Sequence, residues 1–300
     1  MKLYSTFGIV GFPWDGGASL GRPGSRFAPE KIREAFAWFA NRIENNQVYN
    51  VEKRKTFTLP KNALTDYGNI EIAAYSTDQT FAHAEAKLKA VLADHAFPFV
   101  LGGDHSISYP LIKALHDQNH GKRIGIIQFD AHLDLVDESP VQGRFSQSSQ
   151  MRRAIELEHV SAKDIVQVGV RSYNYPWYAS YLKDIGIHQI TAQEVHQSDP
   201  LAIAEQIKAV MENVDLVYLT YDMDVLDPAY APGVGANEPG GLTPVQSFAI
   251  LDALYPIVDA FDIAEVNPLY DHQDITTAMA ARIMFDCFVA RMECGENAQT

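Results

Sequence analysis

The sequence predicts an α/β fold of three layers, with helices on both faces of a mostly parallel central sheet. Three observations lead there. Short apolar runs alternate with stretches of helical spacing along the chain, the pattern of parallel strands joined by crossover helices. Four of those runs, 97–101, 123–130, 215–221 and 260–266, lead into or end in acidic or histidine residues. No linker, charge block, repeat or low-complexity stretch divides the 300 residues, so 1–300 reads as one domain. A closed barrel competes, but the irregular first third and the uneven spacing favour an open sheet.

Taken in order, a strand over 7–13 runs into a glycine-rich loop, 15–25. That loop carries neither a GxGxxG nor a GKS/GKT pattern, so it does not read as a phosphate cradle. Ala28-Pro29-Glu30 opens a helix, since proline suits a first turn. Residues 46–72 are polar and read as irregular, with Asp66-Tyr67-Gly68-Asn69 as a turn. Phe81, Ala84, Leu88, Val91 and Leu92 recur at helical spacing and predict a helix over 77–95. A short buried strand, 97–101, leads into Gly102-Gly103-Asp104-His105-Ser106 and a helix over 107–115. The strand 123–130 follows, then a loop over 135–150 and a helix from Met151. A strand over 164–170 precedes the aromatic stretch Tyr173-Asn174-Tyr175-Pro176-Trp177-Tyr178, a helix over 175–183, a strand over 187–190 and a helix over 200–210. The strand 215–221 ends in Asp222-Met223-Asp224. A Gly/Pro-rich loop, 227–241, then reaches Thr243-Pro244, a helix start. A strand over 260–266 and a helix over 275–291 complete the order, and 295–300 should fray.

Composition narrows the partners. A formal charge of −14 argues against nucleic acid and anionic membranes, and suits solubility or a cationic substrate. No apolar run approaches the roughly 18 residues of a membrane span. Met1-Lys2-Leu3-Tyr4-Ser5 shows no leader pattern. Cys287 and Cys294 make no CxxC pair and no disulfide framework, which fits a reducing cytoplasm.

The chemistry concentrates at strand ends. In extended backbone, residues i, i+2 and i+4 share a face, so Asp130, His132 and Asp134 can converge. Asp222 and Asp224 repeat the i, i+2 spacing. His105 lies just past another strand, and Glu265 lies near the end of a fourth. Carboxyl ends of parallel strands gather along one sheet edge. Carboxylate and imidazole together suit manganese, zinc or iron. Two histidines and four aspartates exceed what one ion with an open position needs. They suit two ions about 3.5–4 Å apart that lower the pKa of a shared water towards 7.

Gly102-Gly103-Asp104-His105-Ser106, Asp130-Ala131-His132-Leu133-Asp134 and Asp222-Met223-Asp224-Val225-Leu226-Asp227-Pro228 resemble the signature motifs of the ureohydrolases, the arginase, agmatinase and formiminoglutamase family. Residues 20–30 and 232–242 are similar to segments of the agmatinase branch. The resemblance implies an arginase-like fold and two Mn²⁺ ions per subunit. It implies hydrolysis of a linear, agmatine-like guanidino compound to urea and an amine by a metal-bridging hydroxide. It implies a homo-oligomer, a trimer or hexamer. It assigns His105, Asp130, Asp134 and Asp222 to one ion, and His132, Asp130, Asp222 and Asp224 to the other. Asp134 would also hold the hydroxide. Glu265 would pair with the planar cationic group of the substrate.

The sequence departs from that pattern at Gln147, where agmatinases carry a histidine credited with proton shuttling and substrate contact. Glutamine hydrogen-bonds but does not titrate near neutral pH. Three explanations stand. Another group or water moves the proton, with His272 as one candidate. The substrate is a formimino or other amidine compound. Or the chain is a weakly active or non-catalytic metal-binding relative. The aromatic stretch could wall the pocket or pack. Arg22 and Arg26 could line the site or anchor the N-terminal loop. The remaining histidines lack ligand spacing.

Overall fold

The computed structural model describes residues 4–17, 22–138 and 140–293. Cys294 and the fraying expected over 295–300 lie outside those residues. The sheet is built from strands buried at nearly every position, as strands covered on both faces must be. β1 (Thr6–Gly11), β5 (Ala96–Leu101), β6 (Ile124–Phe129), β9 (Leu216–Asp222) and β10 (Ala260–Ala264) are of this kind. With β4 (Leu64–Asn69), β7 (Val160–Val170) and β8 (His188–Thr191) they form one eight-stranded sheet in the order β4-β1-β5-β10-β9-β6-β7-β8. Each of its registered pairs is parallel.

Alternate residues of each strand feed two cores. Phe7, Phe97, Phe99, Ile127, Leu219 and Phe261 face one way. There they meet α1 (Ala28–Ala40), α6 (Ala192–Gln197), α7 (Pro200–Met211), α8 (Pro244–Leu254) and α9 (Ile275–Met292). Val10, Val100, Ile126, Ile165 and Tyr218 face the other way, towards α2 (Thr77–Ala93), α3 (Ser108–Gln118), α4 (Gln150–Ala154) and α5 (Tyr178–Ile185). The result is the three-layer α/β/α arrangement that the alternating pattern predicts.

Local signals place the helix ends. Thr243 and Gln246 form a reciprocal capping box, with Pro244 in the first turn of α8. Ser76 caps α2 by accepting from the Gln79 amide at 3.2 Å, an interaction usually worth about 1 kcal/mol. Gly186 closes α5 in the left-handed region at φ 71°.

The stretch 46–72 is a correction. It holds a hairpin of β2 (Gln47–Asn50) and β3 (Lys55–Thr58), followed by the edge strand β4. Val48 and Phe57 are the buried residues of the hairpin strands, and the β4 residues are exposed or half-buried. A strand wetted on one side needs no apolar run, so the pattern was silent there. Asp66-Tyr67-Gly68-Asn69 lies within β4, not in a turn. Arg33 covers that edge, donating to Asp66 and Asn69 at 2.8–3.0 Å. The short helix α6 was also missed, although Thr191 and Glu194 form a capping box at its start.

Candidate metal centre

β5, β10, β9 and β6 are neighbours in the middle of the sheet, and their carboxyl ends bring His105, Glu265, Asp222/Asp224 and Asp130 together. Backbone amides orient the carboxylates. The His132 N–H donates to Asp130 Oδ1 at 2.6 Å, and the Asp224 N–H donates to Asp222 Oδ1 at 2.8 Å. The Ala131 N–H donates to Asp224 Oδ1 at 3.1 Å, and the His105 N–H to Glu265 Oε1 at 2.8 Å. Gly103 allows the approach of β5 to the first loop: a Cβ there would sit 1.6 Å from the Trp14 carbonyl oxygen.

His105 Nδ1 lies 2.9 Å from Asp222 Oδ2, 3.0 Å from Asp130 Oδ2 and 3.2 Å from Asp134 Oδ2. His132 Nδ1 lies 3.0 Å from Asp224 Oδ2 and 3.5 Å from Asp130 Oδ1. Two ligand groups result, His105/Asp130/Asp134 and Asp130/His132/Asp224, each with its ligand atoms within 4.8 Å of one another. Asp130 belongs to both and turns a different oxygen to each.

The expected alternation along an extended run does not produce this convergence. β6 stops at Phe129. Asp134 instead sits in the left-handed region at φ 52°, as does Glu265 at φ 63°. Non-glycine residues held there cost roughly 1–3 kcal/mol and cluster at functional sites.

The donor set fits cations. His105 Nδ1 is buried and has no hydrogen-bond partner, yet faces three carboxylate oxygens. Its other nitrogen is spoken for. The Thr220 hydroxyl donates to Asp262 Oδ1 at 2.9 Å, so His105 Nε2–H donates to Thr220 Oγ1 at 2.8 Å. That leaves the Nδ1 lone pair aimed into the carboxylates, as a metal ligand requires.

Without ions, protons hold the cluster together. Burial pushes Asp134 up to about 7, and the charge of Asp130 adds to it. Burial, then Asp224 and Asp130, raise Asp222 well above the usual range. The Asp224 charge raises His132. Burial alone would lower His105, but Asp130, Asp134 and Asp222 raise it. Burial, and then Asp104, push Glu265 up to about 8.

A carboxyl raised by folding gives its full stabilisation at low pH and loses it as pH climbs from its unfolded value, near 4, to its folded one. The raised imidazoles run the same way above about 6.5. Asp130 is lowered by His105 and His132 against the effect of burial, and it titrates below this window. The ion-free protein is therefore expected to melt lower at pH 8 than at pH 5, with Mn²⁺ stabilising it most at pH 8. Melting curves with and without the ion test this. An ion-free protein that gains stability from pH 5 to 8 would contradict it.

The other expected site residues divide. Glu265 and Gln147 line the same cavity of about 1070 Å³ as His105, His132, Asp134, Asp222 and Asp224. Tyr173, Tyr175, Trp177 and Tyr178 form part of its wall, so the aromatic stretch faces the pocket. His272 is exposed near the start of α9 and does not line the cavity. Arg26 donates to Asp15 at 2.7 and 2.8 Å and so anchors the first loop. Sequence reasoning missed Gln128, Gln150 and Thr220. Gln128 and Thr220 lie two residues before Asp130 and Asp222, and carrying the period of two backwards would have found them.

Comparison with known proteins is consistent with this geometry. The Arginase family model matches residues 5–290. The formimidoylglutamase of Halalkalibacterium halodurans is 33% identical over 298 residues, covering 95% of this chain and 87% of its own. The mitochondrial agmatinase of Gallus gallus is 31% identical over 282 residues, 93% of this chain and 78% of its own. The structure of the proclavaminate amidino hydrolase from Streptomyces clavuligerus superposes with a TM-score of 0.82 at 28% identity, covering 97% of this chain and 93% of that one. Relatives named for different substrates thus stand at similar distances.

Proposed function

This chain belongs to the arginase family and is a metal-dependent hydrolase, and from that premise we propose that it hydrolyses a linear guanidino compound to urea and an amine, with two Mn²⁺ ions per subunit. The observation that carries the reading is the pair of ligand groups sharing Asp130, with Glu265 on the wall of the same cavity. Bound divalent ions supply Lewis acidity and lower the pKa of water enough to make a nucleophile near neutral pH.

The chain's own residues supply the rest. Asp134 orients the attacking water and takes its proton. The Asp134 Oδ2 atom is itself held by the Gln150 amide. Glu265 holds the planar cation. Its Oε1 is fixed by the His105 amide at 2.8 Å, and Gly235 leaves room beside Oε2, where a Cβ would come within 2.7 Å. A guanidinium fork matches a carboxylate bidentately. An incoming cation also favours the ionised form of a carboxyl that burial has raised to about 8. The aromatic wall packs the substrate tail.

Gln147 favours a second reading. It lines the cavity and cannot carry a proton, so a formimino or other amidine substrate at the same site is the alternative. A panel of guanidino compounds with cationic, neutral and anionic tails, run beside formimino compounds with added Mn²⁺, separates the two. Urea from a guanidino member is the expected result. Formamide or ammonia alone supports the alternative. Two ions bound with no turnover of any member would leave a weakly active or non-catalytic relative. A homo-oligomer, trimer or hexamer, and a cytoplasmic location remain parts of the proposal.

A further inference from the structure

One cross-strand row of the sheet is polar where its neighbours are apolar. Gln189 on β8 pairs in register with Gln167 on β7, and Gln167 with Gln128 on β6. Gln128 pairs with Thr220 on β9, and Thr220 with Asp262 on β10. The row lies one pleat below Asp130 and Asp222, on the face covered by α2–α5. Gln128, Gln167, Thr220 and Asp262 are fully buried, and Gln189 is half-buried.

The three amides form a directed chain. Gln128 Nε2 donates to Asp130 Oδ2 at 2.6 Å and reaches Asp134 Oδ2 at 3.4 Å. Carboxylates only accept, so the amide group of Gln128 must face them and its oxygen must face away. That oxygen accepts from Gln167 Nε2 at 2.8 Å. Gln167 Nε2 also donates to the Leu133 carbonyl at 2.6 Å, on the residue just before Asp134. Gln167 Oε1 in turn accepts from Gln189 Nε2 at 3.0 Å. Each amide has one permitted orientation, and each donates towards the site.

The two ligand groups differ in what supports them. Asp130 Oδ2 and Asp134 Oδ2, which face His105, carry side-chain amide donors from Gln128 and Gln150. Asp130 Oδ1, which faces His132, carries the backbone amide of His132. The Asp224 carboxylate facing His132 carries that of Ala131 through its other oxygen. A side-chain donor can be removed by substitution. A backbone donor cannot.

We propose that the Gln189–Gln167–Gln128 row is a positioning device for one ion of the pair, setting affinity at the His105 side and leaving the His132 side to the backbone. The inference rests on the two-ion site of the proposed function and not on any substrate. Outer-shell partners of metal ligands typically change affinity by about 10–100-fold when lost. Gln128→Met keeps the length and removes both donors. Gln167→Glu keeps the volume at a position remote from the ions. Its carboxyl offers at most one proton where the amide supplied two donors, so the Gln128 oxygen or the Leu133 carbonyl loses its partner and the row is loosened. Gln189→Leu breaks the chain at its half-buried far end.

The experiment is a Mn²⁺ titration of the full chain, counting bound ions by electron paramagnetic resonance, beside the melting transition of the ion-free protein. The wild-type chain is expected to bind two ions. Gln128→Met and Gln167→Glu are expected to keep one ion at near wild-type affinity and weaken the other by roughly 10–100-fold, with a few-fold effect from Gln189→Leu. Adding His132→Ala to Gln128→Met should remove the ion that remains, which identifies it. Equal weakening of both ions, or no change at either, in the variants that retain the ion-free melting transition overturns the proposal. A wild-type chain that binds no ion would instead overturn the functional reading beneath it.

Discussion

Asp130→Ala is expected to lose both ions together and to lower turnover by on the order of 10⁴-fold or more, the scale on which catalysis collapses when one part of a unit is removed. Asp130 is the residue common to the two ligand groups, with Oδ2 beside His105 Nδ1 and Oδ1 beside His132 Nδ1. Its removal also frees the Gln128 amide and the His132 amide that now donate to it. A residue serving one ion, such as His132, should behave differently and leave one ion in place. Counting bound Mn²⁺ per chain beside a urea assay checks both statements. Full turnover after removal of the metal would sink the mechanism, because the proposed nucleophile depends on bound divalent ions lowering the pKa of water.

Glu265→Gln has the second largest expected effect and the opposite pattern. The ions should stay, since Glu265 belongs to neither ligand group. kcat/KM should fall by about 10²–10³-fold. That is about 3–4 kcal/mol at 1.4 kcal/mol per tenfold, inside the range of roughly 2–5 kcal/mol lost when one member of a buried charge pair is truncated. The amide replacement keeps the shape and the acceptor for the His105 N–H, and it removes the charge that a planar cation needs. Steady-state kinetics with bound metal measured in parallel would show it. Wild-type kcat/KM with a guanidino substrate would refute the assigned role, and loss of metal would make Glu265 a structural support instead.

Much of the fold was legible because fully buried parallel strands write themselves as apolar runs. Ile124–Phe129 and Leu216–Asp222 are examples. β4 was not legible, because an edge strand with exposed and half-buried residues looks like a loop. The strand-end residues were readable for a topological reason, since parallel strands deliver their carboxyl ends to one place. Two things were beyond that reasoning. The left-handed turn at Asp134 depends on contacts made by the folded chain, and the glutamine row depends on cross-strand register, which a single strand does not encode.

The left-handed backbone at Asp134 and Glu265 also shapes what directed evolution would do to this chain. At both positions glycine would relieve the backbone and remove a buried carboxyl whose ionisation the interior resists. A library selected for heat resistance without metal would therefore drift towards losing these side chains. The same library selected for product would be held to them. Robustness and activity are antagonists at these two residues, and improvement of the scaffold has to be sought elsewhere in the chain.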